Sequence, residues 1–265
     1  MIDIHHHLIF GLDDGAPDLD TSLAMVEMAQ ADGITHIVCT PHSNHSYPYL
    51  PEENAARLAQ IQERSGNQIT FGIGCDFHLS YDNIQDAAAH RHRYSINGKN
   101  YLLVEFPDFG ISQNISQTFY EMILSGITPI LTHPERNQTL AAQPHRMVDW
   151  IRMGCLVQVT AGSVTGDFGR TAQRVAEQLL HDRWVHFLAT DAHNTTSRPP
   201  LMRNAYASVA RTHGEEYAER LCVANPRAAF YGEPLPEQPE PAKIFEEAAP
   251  QRSLLARLFS LKEKA

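Results

Sequence analysis

The sequence has few cysteines, a deficit of basic residues and no long apolar run. Its four cysteines form no C-x-x-C pair, which excludes the usual zinc-ribbon and thioredoxin-like motifs. Lys and Arg number 21 against 31 for Asp and Glu, and this net charge of −10 argues against a general nucleic-acid binder. No run approaches the ~20 apolar residues of a membrane span, and residues 5–7, all His, interrupt the first one, so no N-terminal signal is recognised. These absences predict a cytoplasmic protein with reduced, buried thiols.

Seven β-rich runs alternate with stretches of helical period. The runs cover residues 1–5, 34–40, 69–74, 101–105, 128–132, 156–160 and 185–190, and the helical stretches cover 19–32, 52–65, 114–124, 144–153 and 170–180. Such alternation predicts a parallel α/β fold, either an open sheet or a closed barrel. No G-x-G-x-x-G or G-x-x-x-x-G-K-S/T follows any strand, which removes the main support for a nucleotide-binding fold.

Ionisable side chains follow six of the seven predicted strands. They include Asp3, His5, His7, Asp13, Asp14, His42, Asp76, His78, Glu105, His133, Glu135, Asp191 and His193. Only the sixth strand, ending at residues 158–162, lacks an ionisable group. Because strand ends converge at the C-terminal face of a barrel, these groups are predicted to form one cluster there. Mixed His and carboxylate ligands suit Mn²⁺, Fe²⁺ or Zn²⁺, and the absence of cysteine argues against a purely structural zinc site.

The ordered motifs resemble a known superfamily. D-I-H-x-H, D-D-G, T-P-H, V-E-F, T-H-P-E-R and T-D-A-H are similar to those of the PHP (polymerase and histidinol phosphatase) superfamily. Within it, residues 1–231 most resemble bacterial manganese-dependent protein-tyrosine phosphatases, which act beside the tyrosine kinases of capsule and exopolysaccharide synthesis. The resemblance implies an α/β fold, a distorted (β/α)₇ barrel with its metal site at the C-terminal strand ends. It also implies hydrolysis of phosphotyrosine in proteins, with such a kinase as partner.

The resemblance further implies three divalent ions, Mn²⁺ first and Fe²⁺ or Zn²⁺ as alternatives. By motif position the first ion takes His5, His7 and Asp191. Asp76 bridges the first ion to the second ion, which also takes Glu105 and His133. The third ion takes Asp14, His42 and His193. Arg136 and Arg198 occupy the places of phosphate-binding arginines. His42 is also a candidate general acid, as are His45 and His193.

Several positions depart from the family pattern. The bridging residue is usually Glu, and Asp76 is one methylene shorter, so His78 is a candidate to help it. His6 stands where Ser is common, and strand alternation predicts that it points away from its neighbours. The loop at residues 43–49 lacks the basic residues frequent in these phosphatases. Tyr47, Tyr49 and Phe109 are candidates to wall the mouth of the site, with ordinary packing as the alternative.

Other functions stay open at this point. A small-molecule phosphatase such as histidinol phosphatase shares the ligands, whereas a nuclease is disfavoured by the charge, and an amidohydrolase by the lack of a strand-end lysine. A non-catalytic kinase-binding partner is disfavoured by the near-complete ligand set. A cysteine-dependent tyrosine phosphatase requires Cys-x₅-Arg, and none of the residues six positions after the cysteines is Arg. Arg136 could instead pair with Glu135, and Arg198 could start a helix.

The composition changes after residue 231. Residues 1–231 are predicted to form the barrel domain. Residues 232–252 are predicted to form an extended linker, because their first part, 232–241, is rich in proline. Residues 253–265 form a basic amphipathic tail in which 253–264 could dock on a membrane surface or a partner. A peripheral location at the inner membrane face is therefore predicted as an alternative to a free cytoplasmic one. The oligomeric state is left open.

Overall fold

Each of the seven predicted runs contains a β-strand, and two further short strands follow the second and third runs. A computed structural model of the chain describes residues 1–90, 92–107 and 110–244. The strands are β1 (Ile2–His6), β2 (His36–Cys39), β3 (His42–Ser43), β4 (Thr70–Ile73), β5 (Asp76–His78), β6 (Tyr101–Glu105), β7 (Thr128–Thr132), β8 (Leu156–Thr160) and β9 (Phe187–Ala189). Pro41 separates β2 from β3, since proline has no N–H to donate to the ladder.

All paired strands are parallel, which confirms the α/β class. They form a three-stranded sheet in the order β1-β2-β4 and a six-stranded sheet in the order β3-β5-β6-β7-β8-β9. The two sheets adjoin at the β2–β3 and β4–β5 breaks, and a single bridge between His6 and Ala192 joins β1 to the segment after β9. Buried Asp3 supports this junction by accepting hydrogen bonds from the N–H and hydroxyl of Thr190. The bridge thus brings the first and last strands next to each other, as the predicted barrel order requires.

Helices follow most strands and cover the outer face of the sheets. They are α1 (Leu19–Ala31), α2 (Pro51–Ser65), α3 (Tyr81–Ala89), α4 (Ile115–Leu124), α5 (Gln138–Ala142), α6 (Val148–Met153), α7 (Ala161–Thr165), α8 (Gly169–His181), α9 (Arg203–His213), α10 (Glu215–Glu219) and α11 (Asn225–Tyr231). Short 3₁₀ turns lie at Ile96–Gly98 and Pro144–Met147, and a π-helical turn at Arg220–Ala224. The predicted helix at 144–153 is thus a 3₁₀ turn followed by α6.

Two apolar layers hold the strands in place. Alternate residues such as Ile2, Ile4 and Leu103 form an inner cluster with Phe230 of α11. A larger outer cluster packs the remaining strand residues against the helices. This division places the N-terminal half of the inner face in an apolar environment, so the polar strand ends gather at the opposite end.

The first helix begins at the predicted residue, Leu19, and has a side-chain cap at its N-terminus. Asp18 is the N-cap of α1, because its carboxylate accepts a hydrogen bond from the Thr21 N–H. That contact satisfies one of the free N–H groups of the first turn.

The segment after α11 lies against the barrel as far as the structure describes it. The Tyr101 hydroxyl donates to the carbonyl of Glu233, the Trp184 indole donates to that of Ala242, and Ile244 is buried. The rest of the predicted linker, the tail at 253–264 and Phe109 lie outside the described residues, so the predicted domain boundaries stay predictions. No helix in the described ranges is both long and apolar enough to cross a membrane.

Candidate metal and phosphate site

The predicted ligands converge at the C-terminal ends of the strands. His5, His7, Asp14, His42, Asp76, Glu105, His133, Asp191 and His193 all belong to four overlapping groups whose nitrogen and oxygen atoms lie within 4.8 Å of one another. Most of these side chains are buried. A donor-to-metal distance near 2.1 Å implies donor-to-donor separations of roughly 3.0–3.4 Å, so contacts of this length are the ones to look for.

The first predicted set is compact. The Nε2 atoms of His5 and His7 lie 3.3 Å apart, and each lies close to Oδ1 of Asp191, at 3.4 Å and 3.3 Å. His5 Nε2 is also 3.4 Å from Oδ2 of Asp76. A register shift of β1 against β2 between Asp3 and His6 accompanies this arrangement. Three donor atoms therefore face one point, with Asp76 at its side.

The third predicted set lies beside the first. Oδ1 of Asp14 is 3.3 Å from Nε2 of His42 and 3.4 Å from Nε2 of His193. His7 belongs to the same group, and its ring centroid lies 3.9 Å from that of His193. Asp14 is half exposed, so this part of the cluster faces the opening of the site.

The second predicted set is divided between two groups. Asp76 and Glu105 group with His42, whose Nδ1 lies 3.2 Å and 3.5 Å from their carboxylate oxygens. His133 instead groups with His5 and Asp191, and its Nε2 is 3.7 Å from Glu105. His78 also approaches Glu105, at 3.7 Å. His42 thus lies between two sets of ligands, with Asp14 of the third set near its Nε2 and Asp76 and Glu105 of the second set near its Nδ1.

Opposite charges favour the ionised form of two buried carboxylates, Asp76 and Asp191, whose pKa values lie well below the usual range. Burial alone would raise the pKa of Asp191, but the charges of His5, Arg136 and Arg198 hold it well below its usual range. Burial opposes ionisation of His42 too, yet its contacts with Asp14 and Asp76 raise its pKa to about 12. The protein groups alone therefore keep Asp76 and Asp191 ionised at the centre of the cluster.

Two cluster residues have a strained backbone. Asp191 and His133 have φ values of 52° and 33°, a region that non-glycine residues seldom adopt. His133 follows β7 directly and Asp191 follows β9 after one residue, where the chain turns towards the cluster. Strain of this kind is common at functional sites, where the surrounding structure enforces it.

Asp13 and Gln158 orient two of the histidines. Asp13 Oδ2 accepts hydrogen bonds from His7 Nδ1 at 2.7 Å and from the N–H of His42 at 3.0 Å. Gln158 Oε1 lies 3.0 Å from Nδ1 of His5. With the protons on Nδ1, both histidines present an Nε2 lone pair to the cluster. Sequence reasoning missed these two roles, although Gln158 is at a strand end of the same face.

Asp13→Asn is expected to weaken metal binding about 10- to 100-fold, because the amide orients His7 less strongly than a carboxylate does. Mn²⁺ titration of the metal-stripped protein measures the change. Asp18→Asn is the matched control, since asparagine also caps a helix and Asp18 is exposed. Equal Mn²⁺ affinity in the two variants would contradict the orienting role of Asp13.

Both predicted arginines reach the cluster through Asp191. Arg136 Nη1 and Arg198 Nη2 each form an ion pair with Asp191 Oδ2, the second at 2.5 Å. Glu135 is not the partner of Arg136, since it is buried and accepts hydrogen bonds from the Thr160 N–H and the Ser163 hydroxyl. Arg198 does not start a helix, because α9 begins at Arg203. Two guanidinium groups therefore stand beside the cluster.

The residues present fit a site for divalent ions. Both carboxylate oxygens of Asp76, Nδ1 of His42 and Nε2 of His193 are buried and have no hydrogen-bond partner among the described residues. Buried polar atoms are nearly always satisfied, so these atoms call for a ligand. The donor set of imidazoles and carboxylates suits Mn²⁺, Fe²⁺ or Zn²⁺.

Neighbouring aromatic residues have different roles. The Tyr47 ring stacks on His42 with a centroid distance of 6.0 Å, beside the cluster. Tyr49 belongs to the core and donates to the carbonyl of Gly74, so it does not wall the mouth of the site. His6 is fully buried and belongs to none of the ligand groups, in line with the alternation argument.

A family profile described as "Capsular polysaccharide synthesis, CpsB/CapC" matches residues 1–231. This chain belongs to the CpsB/CapC family. Tyrosine-protein phosphatase YwqE of Bacillus subtilis is 33% identical over 82% of this chain and 86% of its own length. Tyrosine-protein phosphatase CpsB of Streptococcus pneumoniae is 29% identical over 86% and 97%.

A solved structure agrees with this membership. It comes from work on YwqE and CpsB, described there as unique metal-dependent tyrosine phosphatases, and it superposes with a TM-score of 0.84. It is 30% identical and covers 92% of this chain and 100% of its own. The lactonase Lmo2620 of Listeria monocytogenes, at 14% identity and a TM-score of 0.53, shares only the fold. The resemblance found from the strand-end motifs is thereby confirmed.

Proposed function

We propose that this chain is a metal-dependent phosphatase that hydrolyses phosphotyrosine in proteins. The observation that carries the proposal is the set of overlapping His and carboxylate groups beside two arginines, at the face where barrel enzymes bind substrates. Its CpsB/CapC membership favours phosphotyrosine over other phosphate esters, since relatives of similar length carry that activity in their names.

The nine predicted ligands would hold three divalent ions, with Mn²⁺ preferred and Fe²⁺ or Zn²⁺ as alternatives. The assignment is His5, His7 and Asp191 for the first, with Asp76 bridging it to a second held by Glu105 and His133, and Asp14, His42 and His193 for the third. Bound there, such ions neutralise phosphate charge and lower the pKa of a coordinated water. Because His42 groups with Asp76 and Glu105, His42 would also be a candidate ligand of the second ion.

The two arginines would orient the phosphate. Each guanidinium offers paired donors that match phosphate oxygens, and both are held at one carboxylate oxygen of Asp191. A tyrosine leaving group has a pKa near 10, so it needs little protonation. His42 has carboxylates near both ring nitrogens, Asp14 at Nε2 and Asp76 at Nδ1, which supports a role in ion binding before one as a general acid.

The thiols support a mechanism that does not use cysteine. All four cysteines are free and buried. Burial raises the pKa of each thiol, that of Cys155 to about 12, so a thiolate is disfavoured.

A comparison of substrates tests the proposal. The Mn²⁺-loaded protein is expected to hydrolyse p-nitrophenyl phosphate and a phosphotyrosine peptide, and to act much more slowly on a phosphoserine peptide of the same sequence. Histidinol phosphate is the discriminating fourth substrate. A kcat/KM for histidinol phosphate above that for the phosphotyrosine peptide would refute the protein-phosphatase assignment in favour of a small-molecule phosphatase.

We also propose a partner and a location. Membership of a capsular-polysaccharide family supports a phosphorylated bacterial tyrosine kinase as the protein substrate, met in the cytoplasm at the inner membrane face. The role of residues 253–264 in docking there is a separate hypothesis. Deletion of residues 251–265 tests it by liposome co-sedimentation, and unchanged binding would refute the membrane version.

A further inference from the structure

The part of α8 nearest the site carries two arginines without a partner. Arg170 and Arg174 are exposed, and neither forms a hydrogen bond or ion pair with any described residue. They stand four positions apart on one helix, so they lie on the same side of it. In a chain of net charge −10, two neighbouring free cations are a notable concentration of positive charge.

Helix stabilisation does not explain these residues. Arg170 is in the first turn of α8, where the helix dipole disfavours positive charge. No side chain of the described residues caps that turn either. Both features are unfavourable for an isolated helix, and both become favourable if an anion lies against it.

A groove joins the pair to the candidate site. Arg174 lines a cavity of about 540 Å³ together with Arg136 and Phe168, and the guanidinium of Arg136 lies 4.3 Å from the centroid of the Phe168 ring. Arg170 and Arg174 line the adjoining cavity with Thr171. The helix begins at the same face of the barrel where the strands end, so the groove runs outward from Arg136 along α8.

We propose that this groove, lined by Arg136, Arg174 and Arg170, binds an acidic segment of the substrate polypeptide next to the phosphotyrosine. The inference rests on the proposed function and extends it to the class of substrate. Charge complementarity and continuity with Arg136 favour a carboxylate-bearing polypeptide. Glu177 lines the end of the groove farther from the candidate site and forms no ion pair with Arg170 or Arg174 among the described residues. Its negative charge confines the positively charged part of the groove to the end nearest the site.

The test uses two phosphotyrosine peptides that differ only in their flanks, one with Asp and Glu and one with Asn and Gln. The full-length Mn²⁺-loaded protein is expected to show a lower KM for the acidic peptide. In R170Q/R174Q the KM for that peptide is expected to rise about five- to tenfold, with kcat unchanged. The KM for the neutral peptide and for p-nitrophenyl phosphate should stay within twofold. Raising the salt concentration should narrow the preference.

Arg64→Gln is the matched control, because Arg64 is exposed in the last turn of α2, at the opposite end of the barrel from the strand ends. It should leave every KM unchanged. Equal KM values for the two peptides in the unmodified protein would overturn the inference and leave the proposed function standing. If the protein hydrolysed neither peptide, both the inference and the proposed function would be overturned. R170Q/R174Q could also lose binding to phosphatidylglycerol vesicles while its peptide kinetics stay unchanged. That result would assign the two arginines to a lipid surface and would overturn the inference as well.

Discussion

Asp191→Asn is expected to lower kcat/KM for a phosphotyrosine peptide by more than about 100-fold. Substitution of groups behind metal ligands already costs about 10- to 100-fold in affinity or activity, and Asp191 is itself a predicted ligand. The Oδ1 atom of Asp191 faces His5 and His7, and its Oδ2 atom forms ion pairs with Arg136 and Arg198. The substitution therefore affects the ions and the phosphate contacts together, at nearly constant side-chain volume.

Steady-state kinetics and metal content measured on the same preparation check this expectation. The matched control is Asp182→Asn, since Asp182 is also buried and pairs with a cation, Lys243, but belongs to none of the ligand groups. Asp182→Asn should retain its ions and its activity. Because Asp191→Asn leaves two arginines without their carboxylate, its thermal unfolding must be recorded. His7→Gln repeats the test without removing a negative charge, and normal activity in both site variants would contradict the role of this group.

The position of the cluster could be predicted from the sequence because its members follow strands. His5, His133 and Asp191 each stand at or just after the C-terminal end of a parallel strand, and parallel strand ends meet on one face. That regularity needs no knowledge of loops or helices. The same periodic patterns located the strands, which is why β6, β7 and β8 have the predicted bounds.

The partners of each ligand could not be predicted in the same way. Spacing places His42 after the second strand, but it does not say that Nδ1 would face Asp76 while Nε2 faces Asp14. Gln158 and His5 are 153 positions apart, and only the folded barrel brings them together. The pairing of Arg136 with Asp191 rather than with Glu135 is also a tertiary effect, because Glu135 is occupied by two donors from β8 and α7.

Short helices escaped prediction for a different reason. α5, α7 and α10 have five residues each, too few for an apolar period to be recognised. The N-cap of α1 shows the limit of composition at helix ends, since Asp18 and Asp20 are both suitable residues and only the Thr21 contact distinguishes them.

The central claim is that the ions held by the strand-end cluster are required for hydrolysis, and their removal and replacement tests it most directly. The protein is stripped with a chelator, its metal content is measured, and the phosphotyrosine peptide is assayed before and after Mn²⁺ is added back. We expect activity to fall to background and to return with Mn²⁺, because divalent ions would supply the activated water. A thiol cannot replace it, since the cysteines are buried and the sequence has no Cys-x₅-Arg motif. Full activity in verified metal-free protein would contradict the account.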